Sequence, residues 1–154
     1  MANIEPIGNR KPMYSYDYPR PALTADIALF DLEGKRILLV LRGNQPYAGH
    51  WALPGGFFDM EDPSIEHTAA RELEEETGLH GIPLRLLTVA SREGRDPRGR
   101  TVSVAFLGTV NPEMVQPQGG DDAREARWFA VENLPPLAFD HEEIVQKALT
   151  FLGK

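Results

Sequence analysis

The densest run of reactive side chains is Arg71-Glu72-Leu73-Glu74-Glu75-Glu76-Thr77-Gly78. Residues three and four apart are helical neighbours, so Glu72, Glu75 and Glu76 share one face while Glu74 points away into solvent. The spacing predicts a helix capped by Asp62, with Pro63 at its first position, that stops at Gly78 after Thr77. The three carboxylates then occupy its last turns, where the helix dipole disfavours each anion by about 0.3–1 kcal/mol. They also repel one another, and the helix holds no Lys to offset them. A solvated acidic face is the plain alternative, but acids placed for solubility sit in a first turn or pair with Lys. A divalent cation resolves the repulsion. Three carboxylates with no His or Cys among them suit Mg²⁺, or Mn²⁺, better than zinc. The upstream Pro54-Gly55-Gly56 turn lets backbone approach closely and offers a carbonyl as a further ligand. Mg²⁺ held in this way keeps positions open for substrate phosphates.

The charge balance agrees. The chain has 154 residues and a formal net charge of −7. Eight carboxylates between Asp59 and Glu76, against the single cation Arg71, account for that whole surplus. An acidic balance disfavours binding to a nucleic-acid backbone, which needs a basic footprint. The absence of Cys excludes disulfide scaffolds, thiolate metal sites and thiol nucleophiles. The longest apolar run, Ile37 to Leu41, is far short of the ~20 residues of a membrane helix, and no secretory signal is visible. The expectation is a cytoplasmic protein with neither nucleic-acid nor membrane partners.

The elements that must position these residues are legible. Residues 1–20 read as an extension in which Tyr14, Tyr16 and Tyr18 alternate, either as an edge strand for a partner subunit or as an arm over their own domain. Residues 21–154 read as one domain. Strands are expected over Ile27–Phe30, Arg36–Leu41, Trp51–Leu53, Leu84–Ser91, Thr101–Val110 and Ala126–Val131, the first two joined by Leu32-Glu33-Gly34-Lys35. A second helix begins at Asp140 with a capping-box-like Glu143, and packs through Ile144, Ala148 and Phe151. Many strands with two helices imply a mixed-sheet α/β domain.

Gly56, then Arg71-Glu72-Leu73-Glu74-Glu75-Glu76-Thr77-Gly78-Leu79, resembles the Nudix box. The second half matches at every fixed position. In the first half Asp62 stands where the family has Glu, and eight residues rather than seven separate it from Arg71. In the family that Glu supports the box Arg, so Glu61 or Asp62 is expected to take its role. Tyr18–Thr24, Trp51–Phe57, Gly94–Arg100, Gly119–Phe129 and Phe139–Glu142 are similar to the prokaryotic ADP-ribose pyrophosphatase branch. The resemblance implies the Nudix fold, a mixed β-sheet sandwiched between helices (α/β/α), and hydrolysis of a nucleoside diphosphate linked to another moiety, with ADP-ribose giving AMP and ribose 5-phosphate as the leading case.

Carried over by resemblance, Glu72, Glu75, Glu76 and the Gly55 carbonyl bind Mg²⁺, and Arg71 orients the carboxylates. The general base is box Glu76 or loop Asp122, with Asp121 and Glu125 beside it on the same loop. By the same resemblance Arg42 is a phosphate ligand. Arg95 and Arg98, in a loop with Arg92 and Arg100, either bind the phosphate or ribose side of the substrate or are solvated and paired with Glu93 and Asp96. Phe57, with Phe58 and Trp51, either stacks a base or packs the core. Two other readings stay open. One is a hydrolase of modified nucleoside triphosphates or other dinucleotides. The other is a non-catalytic ADP-ribose sensor, against which the survival of Glu72, Glu75 and Glu76 argues. A homodimer is expected from the family and the tyrosine arm.

Overall fold

The computed structural model of the chain describes residues 13–113 and 123–154. Its centre is β1 (Ala22–Asp31), which runs parallel to β6 (Thr101–Val110) along its whole length, from Ala22 opposite Thr101 to Asp31 opposite Val110. β5 (Arg85–Ala90) is antiparallel to β6 at one edge of the sheet. On the other side β1 turns back into β2 (Arg36–Arg42). Gly34, at φ 69°, makes the turn, and Asp31 Oδ1 accepts the Lys35 and Arg36 N–H groups at 2.8 and 3.2 Å. β3 (Trp51–Ala52) and β7 (Ala123–Ala130) both pair antiparallel with β2.

Alternation along the strands feeds two cores. Ile27, Leu29 and Phe106 pack with Ala69 and Leu73 of α1 (Ile65–Thr77). Ala28, Phe30, Ala105 and Leu107 pack with Ile144, Val145 and Ala148 of α2 (His141–Phe151). Burial on both faces explains why the central strands read as nearly continuous apolar runs. The result is the expected mixed sheet between helices. No helix among the described residues is long and apolar enough to cross a membrane.

A short strand that the Pro54-Gly55-Gly56 turn concealed, β4 (Gly55–Phe57), pairs with β1 over Thr24, Ala25 and Asp26. β1 therefore holds β4 on its first half and β2 near its end, and the fork between them opens a cleft of about 830 Å³.

Three local expectations are corrected. Ser64, not Asp62, caps α1, accepting the His67 N–H at 3.1 Å, and Pro63 lies outside the helix. Asp140 does precede α2, but its carboxylate caps no backbone donor, and Glu143 pairs with Arg92 at 2.9 Å. Phe151 is exposed beneath the Arg85 guanidinium instead of buried. In the single chain Tyr14, Tyr16 and Tyr18 pair with no strand, and Tyr14 stacks on Tyr16 with Arg20 over the Tyr16 ring at 3.6 Å.

Candidate active site

The end of α1 and the start of β4 form one wall of the cleft. Arg71 is its organiser. Nε and Nη2 donate to the two oxygens of Asp62 at 2.9 and 2.8 Å, a bidentate pair that leaves the Asp62 side chain 3% exposed. Nη1 donates to Glu72 at 2.9 Å and to Glu75 at 3.2 Å, and Nη2 also reaches the Phe57 carbonyl at 3.2 Å. One planar guanidinium thus spans three carboxylates and a strand. Asp62 Oδ2 accepts two further bonds, from the Asp59 N–H at 3.0 Å and the Thr68 hydroxyl at 2.8 Å. Of the two acids expected to support the box Arg, the structure selects Asp62. The Arg71 hydrogen bonds hold its carboxyl far below the usual carboxylate range, and Asp62 in turn raises Arg71.

The glycines bring backbone against this cluster. A Cβ on Gly56 would lie 2.4 Å from the Glu72 carboxyl carbon, and one on Gly55 would lie 2.2 Å from the Ala25 carbonyl. The Gly55 N–H donates to Glu76 Oε2 at 3.0 Å. Glu72, Glu75 and Glu76 all line the cleft, and Glu74 is exposed outside it. As a donor set they fit a hard divalent cation, and the Gly56 cradle around Glu72 is the feature that suits one. In this structure the cation that Glu72 and Glu75 face is Arg71. No three His, Asp or Glu among the described residues are drawn together into a ligand shell.

Arginines line the same cleft. Arg42 ends β2, donates to the Pro46 carbonyl at 2.8 Å and lies 5.0 Å over the Phe139 ring. Burial, then the charge of Arg98, lowers its pKa. Arg98 pairs with buried Asp96 at 2.8 Å, and its guanidinium lies 4.9 Å from the Phe57 ring and 5.4 Å from the Phe139 ring. Phe57 is half exposed to the cleft. Arg95 also borders the cleft, but its guanidinium is committed to Asp140 at 2.6 and 2.9 Å, in an ion pair whose side chains are 3% and 6% exposed. Asp121 and Asp122 lie outside the described residues; Glu125 pairs with Arg127 at 2.8 Å.

The cleft floor holds residues that sequence reasoning missed. Asp26 of β1 sits opposite Gly55 and accepts the Ser103 hydroxyl in a short hydrogen bond. His141, the first residue of α2, presents Nε2 to Asp26 Oδ1 at 3.8 Å, while its Nδ1 accepts the Leu53 N–H at 3.0 Å. Burial holds the His141 pKa below its usual value, against the pull of Asp26 and Asp140. A lone acid inside the apolar run Ala25-Asp26-Ile27 was the available signal for Asp26.

The family model described as the NUDIX domain matches residues 20–148. The chain is 43% identical to an ADP-ribose pyrophosphatase of Methanocaldococcus jannaschii, over 84% of this chain and 73% of that protein. It is 36% identical to the ADPR responsive transcriptional repressor NtrR of Acinetobacter baylyi, over 89% of this chain, and spans 56% of that longer protein. Among solved structures, the NUDIX domain of Shewanella oneidensis NrtR complexed with ADP ribose superposes with a TM-score of 0.81 at 30% identity, covering 95% of this chain and 96% of that one. A bifunctional NMN adenylyltransferase/ADP ribose pyrophosphatase from Francisella tularensis, complexed with AMP and a manganese ion, gives 0.76 at 26% identity, covering 88% of this chain and 43% of that one.

Proposed function

This chain belongs to the Nudix family, and on that premise we propose that it is a Mg²⁺-dependent pyrophosphohydrolase that cleaves ADP-ribose to AMP and ribose 5-phosphate. One water adds across the phosphoanhydride: its oxygen joins one phosphorus, and the bridging oxygen leaves with the other. The observation that carries the reading is the Arg71-centred cluster of Asp62, Glu72 and Glu75 beside the Gly55–Gly56 backbone, in a cleft that Arg42 and Arg98 also line.

In this reading Glu72, Glu75, Glu76 and the Gly55 carbonyl hold Mg²⁺. When bound, the metal supplies charge withdrawal from the pyrophosphate and lowers the pKa of a bound water. Arg71 keeps the carboxylates oriented, because Asp62 fixes the far side of its guanidinium. Arg42 and Arg98 meet the anionic oxygens of the substrate, and Phe57 and Phe139 offer aromatic faces to its planar base. Arg95 anchors the loop that carries Arg98. The proton acceptor is Glu76 or Asp122. Support for a divalent metal comes from the manganese-bearing Francisella structure, and support for the substrate from the Methanocaldococcus enzyme.

The likeness to NtrR favours a second reading, ADP-ribose binding without turnover. A Mg²⁺-dependent hydrolysis panel of ADP-ribose, NADH, diadenosine polyphosphates and oxidised dGTP separates these. AMP and ribose 5-phosphate from ADP-ribose at the highest kcat/KM support the proposal. Faster turnover of the triphosphate transfers the assignment to nucleotide-pool hydrolysis. Tight ADP-ribose binding with no turnover transfers it to sensing.

A further inference from the structure

The segment that delivers Gly55 to the site is gripped residue by residue from three directions. The Trp51 carbonyl accepts the Ala138 N–H at 2.8 Å, from the loop before α2. The Leu53 N–H donates to His141 Nδ1 at 3.0 Å. The Pro54 carbonyl accepts the Ile27 N–H of β1 at 2.8 Å, and the Gly55 N–H donates to Glu76 of α1. Pro54 has no N–H of its own. The Leu53 N–H is therefore the last backbone donor before Gly55, and its acceptor comes from the opposite layer, 88 residues along the chain.

The imidazole is itself fixed. It heads α2, which Ile144, Val145 and Ala148 bury in the far core, and the preceding Asp140 is locked to Arg95. Because Nδ1 accepts, the proton resides on Nε2, which faces Asp26 Oδ1 at 3.8 Å. Asp26 is held by the Ser103 hydroxyl, and its Oδ1 would lie 2.4 Å from a Cβ on Gly55. One histidine on the far layer thus touches both the strand opposite Gly55 and the turn before it.

We infer that His141 is a positioning residue: through the Leu53 N–H it sets the placement of the Gly55 backbone, and with it the metal-binding geometry of the cleft. The inference rests on the metal-dependent reading above. His141 touches neither metal nor substrate in this scheme. Its action is that of an outer-shell group, of the kind whose loss costs about 10–100-fold in metal affinity.

Two variants separate positioning from bulk. His141→Asn retains an acceptor oxygen, whereas His141→Leu retains volume and loses the acceptor. In the full chain, isothermal titration with Mn²⁺ alone should give a dissociation constant raised at least about tenfold for His141→Leu and within about threefold of the parent for His141→Asn. Amide exchange at Leu53 and Gly55 should accelerate in the Leu variant, and kcat for ADP-ribose should fall more than KM rises. A folded His141→Leu protein with parental Mn²⁺ affinity and parental exchange overturns the inference. If the Leu variant does not fold, the unmodified protein decides: ¹⁵N NMR must show His141 Nδ1 unprotonated and the Leu53 amide protected, and a proton on Nδ1 overturns the inference. Parental Mn²⁺ affinity in Glu75→Gln would instead count against the metal site itself, leaving the exchange and tautomer results to judge His141.

Discussion

Asp62 and Arg71 form a bidentate ion pair, at 2.9 and 2.8 Å, across a loop one residue longer than the family pattern provides. With the shorter acid the pair is already closed at hydrogen-bond distance on both carboxylate oxygens. Restoring the family residue should therefore harm this protein. Asp62→Glu adds a methylene to a side chain that is 3% exposed and has four partners, namely Arg71, Thr68, the Asp59 N–H and nearby His67. We expect kcat for ADP-ribose to fall on the order of 10–100-fold, the scale of a displacement of about 1 Å, with the circular-dichroism spectrum unchanged. Parental kcat in Asp62→Glu would show that Arg71 is oriented without this pair.

Glu75 and Glu76 test the metal reading most directly. Their Gln variants keep shape and hydrogen-bonding capacity but remove charge. The rate should drop on the order of 100-fold, because a metal's charge stabilisation amounts to several kcal/mol. Chelation of the parent protein by EDTA should abolish turnover, with recovery on adding Mg²⁺. Steady-state kinetics across a Mg²⁺ titration reads both.

Gly55 and Gly56 should fail differently. An added Cβ at Gly56 meets the Glu72 carboxylate, the end of a side chain, whereas at Gly55 it meets the Ala25 carbonyl of β1. Gly56→Ala is expected to fold and to lose metal affinity as Glu72 is pushed aside. Gly55→Ala should break the pairing of β4 with β1 and lower the melting temperature. Calorimetry alongside Mn²⁺ titration distinguishes the two, and equal thermal losses would refute the distinction.

Arg95 and Asp140 form a buried pair, so removing one partner strands a charge in the interior. Arg95→Met should destabilise the fold by about 3–5 kcal/mol, and Arg95→Met with Asp140→Leu should recover much of it. Urea denaturation measures both. A large rise in KM for Arg95→Met with parental stability would instead make Arg95 a substrate contact.

Acid should weaken the fold in two stages. Burial keeps the folded His141 pKa below the value of about 6.5 expected in the unfolded chain, against the raising influence of Asp26 and Asp140 and with the help of Arg95 and Arg42. As pH falls through about 6.5 the unfolded state gains a proton that the folded state refuses, so stability declines. Asp62, Asp96 and Asp140 have folded pKa values below the usual carboxylate range, the last two because their arginine partners outweigh burial. Their contributions are complete above about pH 4 and disappear as pH falls further through the folded values. Urea midpoints should be level above about pH 7, sag below about 6.5 and fall steeply under about 4. His141→Asn should remove the first stage and leave the second.

Much of this was legible in the sequence, for local reasons. The spacing of Glu72, Glu75 and Glu76 puts three carboxylates on one helix face whatever the helix packs against, and that repetition alone pointed to a divalent cation. Gly78 ends the helix where expected, with φ 78° and its N–H on the Glu74 carbonyl. Thr101–Val110 forms a strand with the expected bounds. Such features depend on neighbours within a turn or along a strand, and pattern encodes them.

What only the tertiary structure decided is which long side chain meets which distant partner. Arg95 looks in sequence like its neighbour Arg98, yet Asp140, 45 residues away, draws it into the interior while Arg98 stays over the cleft aromatics. β4 was hidden because two glycines are poor strand formers, and its strand exists because Thr24, Ala25 and Asp26 offer an edge and the absent Cβ atoms allow contact. Asp26 and His141 come from opposite ends of the chain, and neither carries a periodic signal. Their meeting is set by the register of β1 with β4 and by the docking of α2 on the far face. Local pattern supplied the charged face; packing across the sheet supplied the frame that holds it.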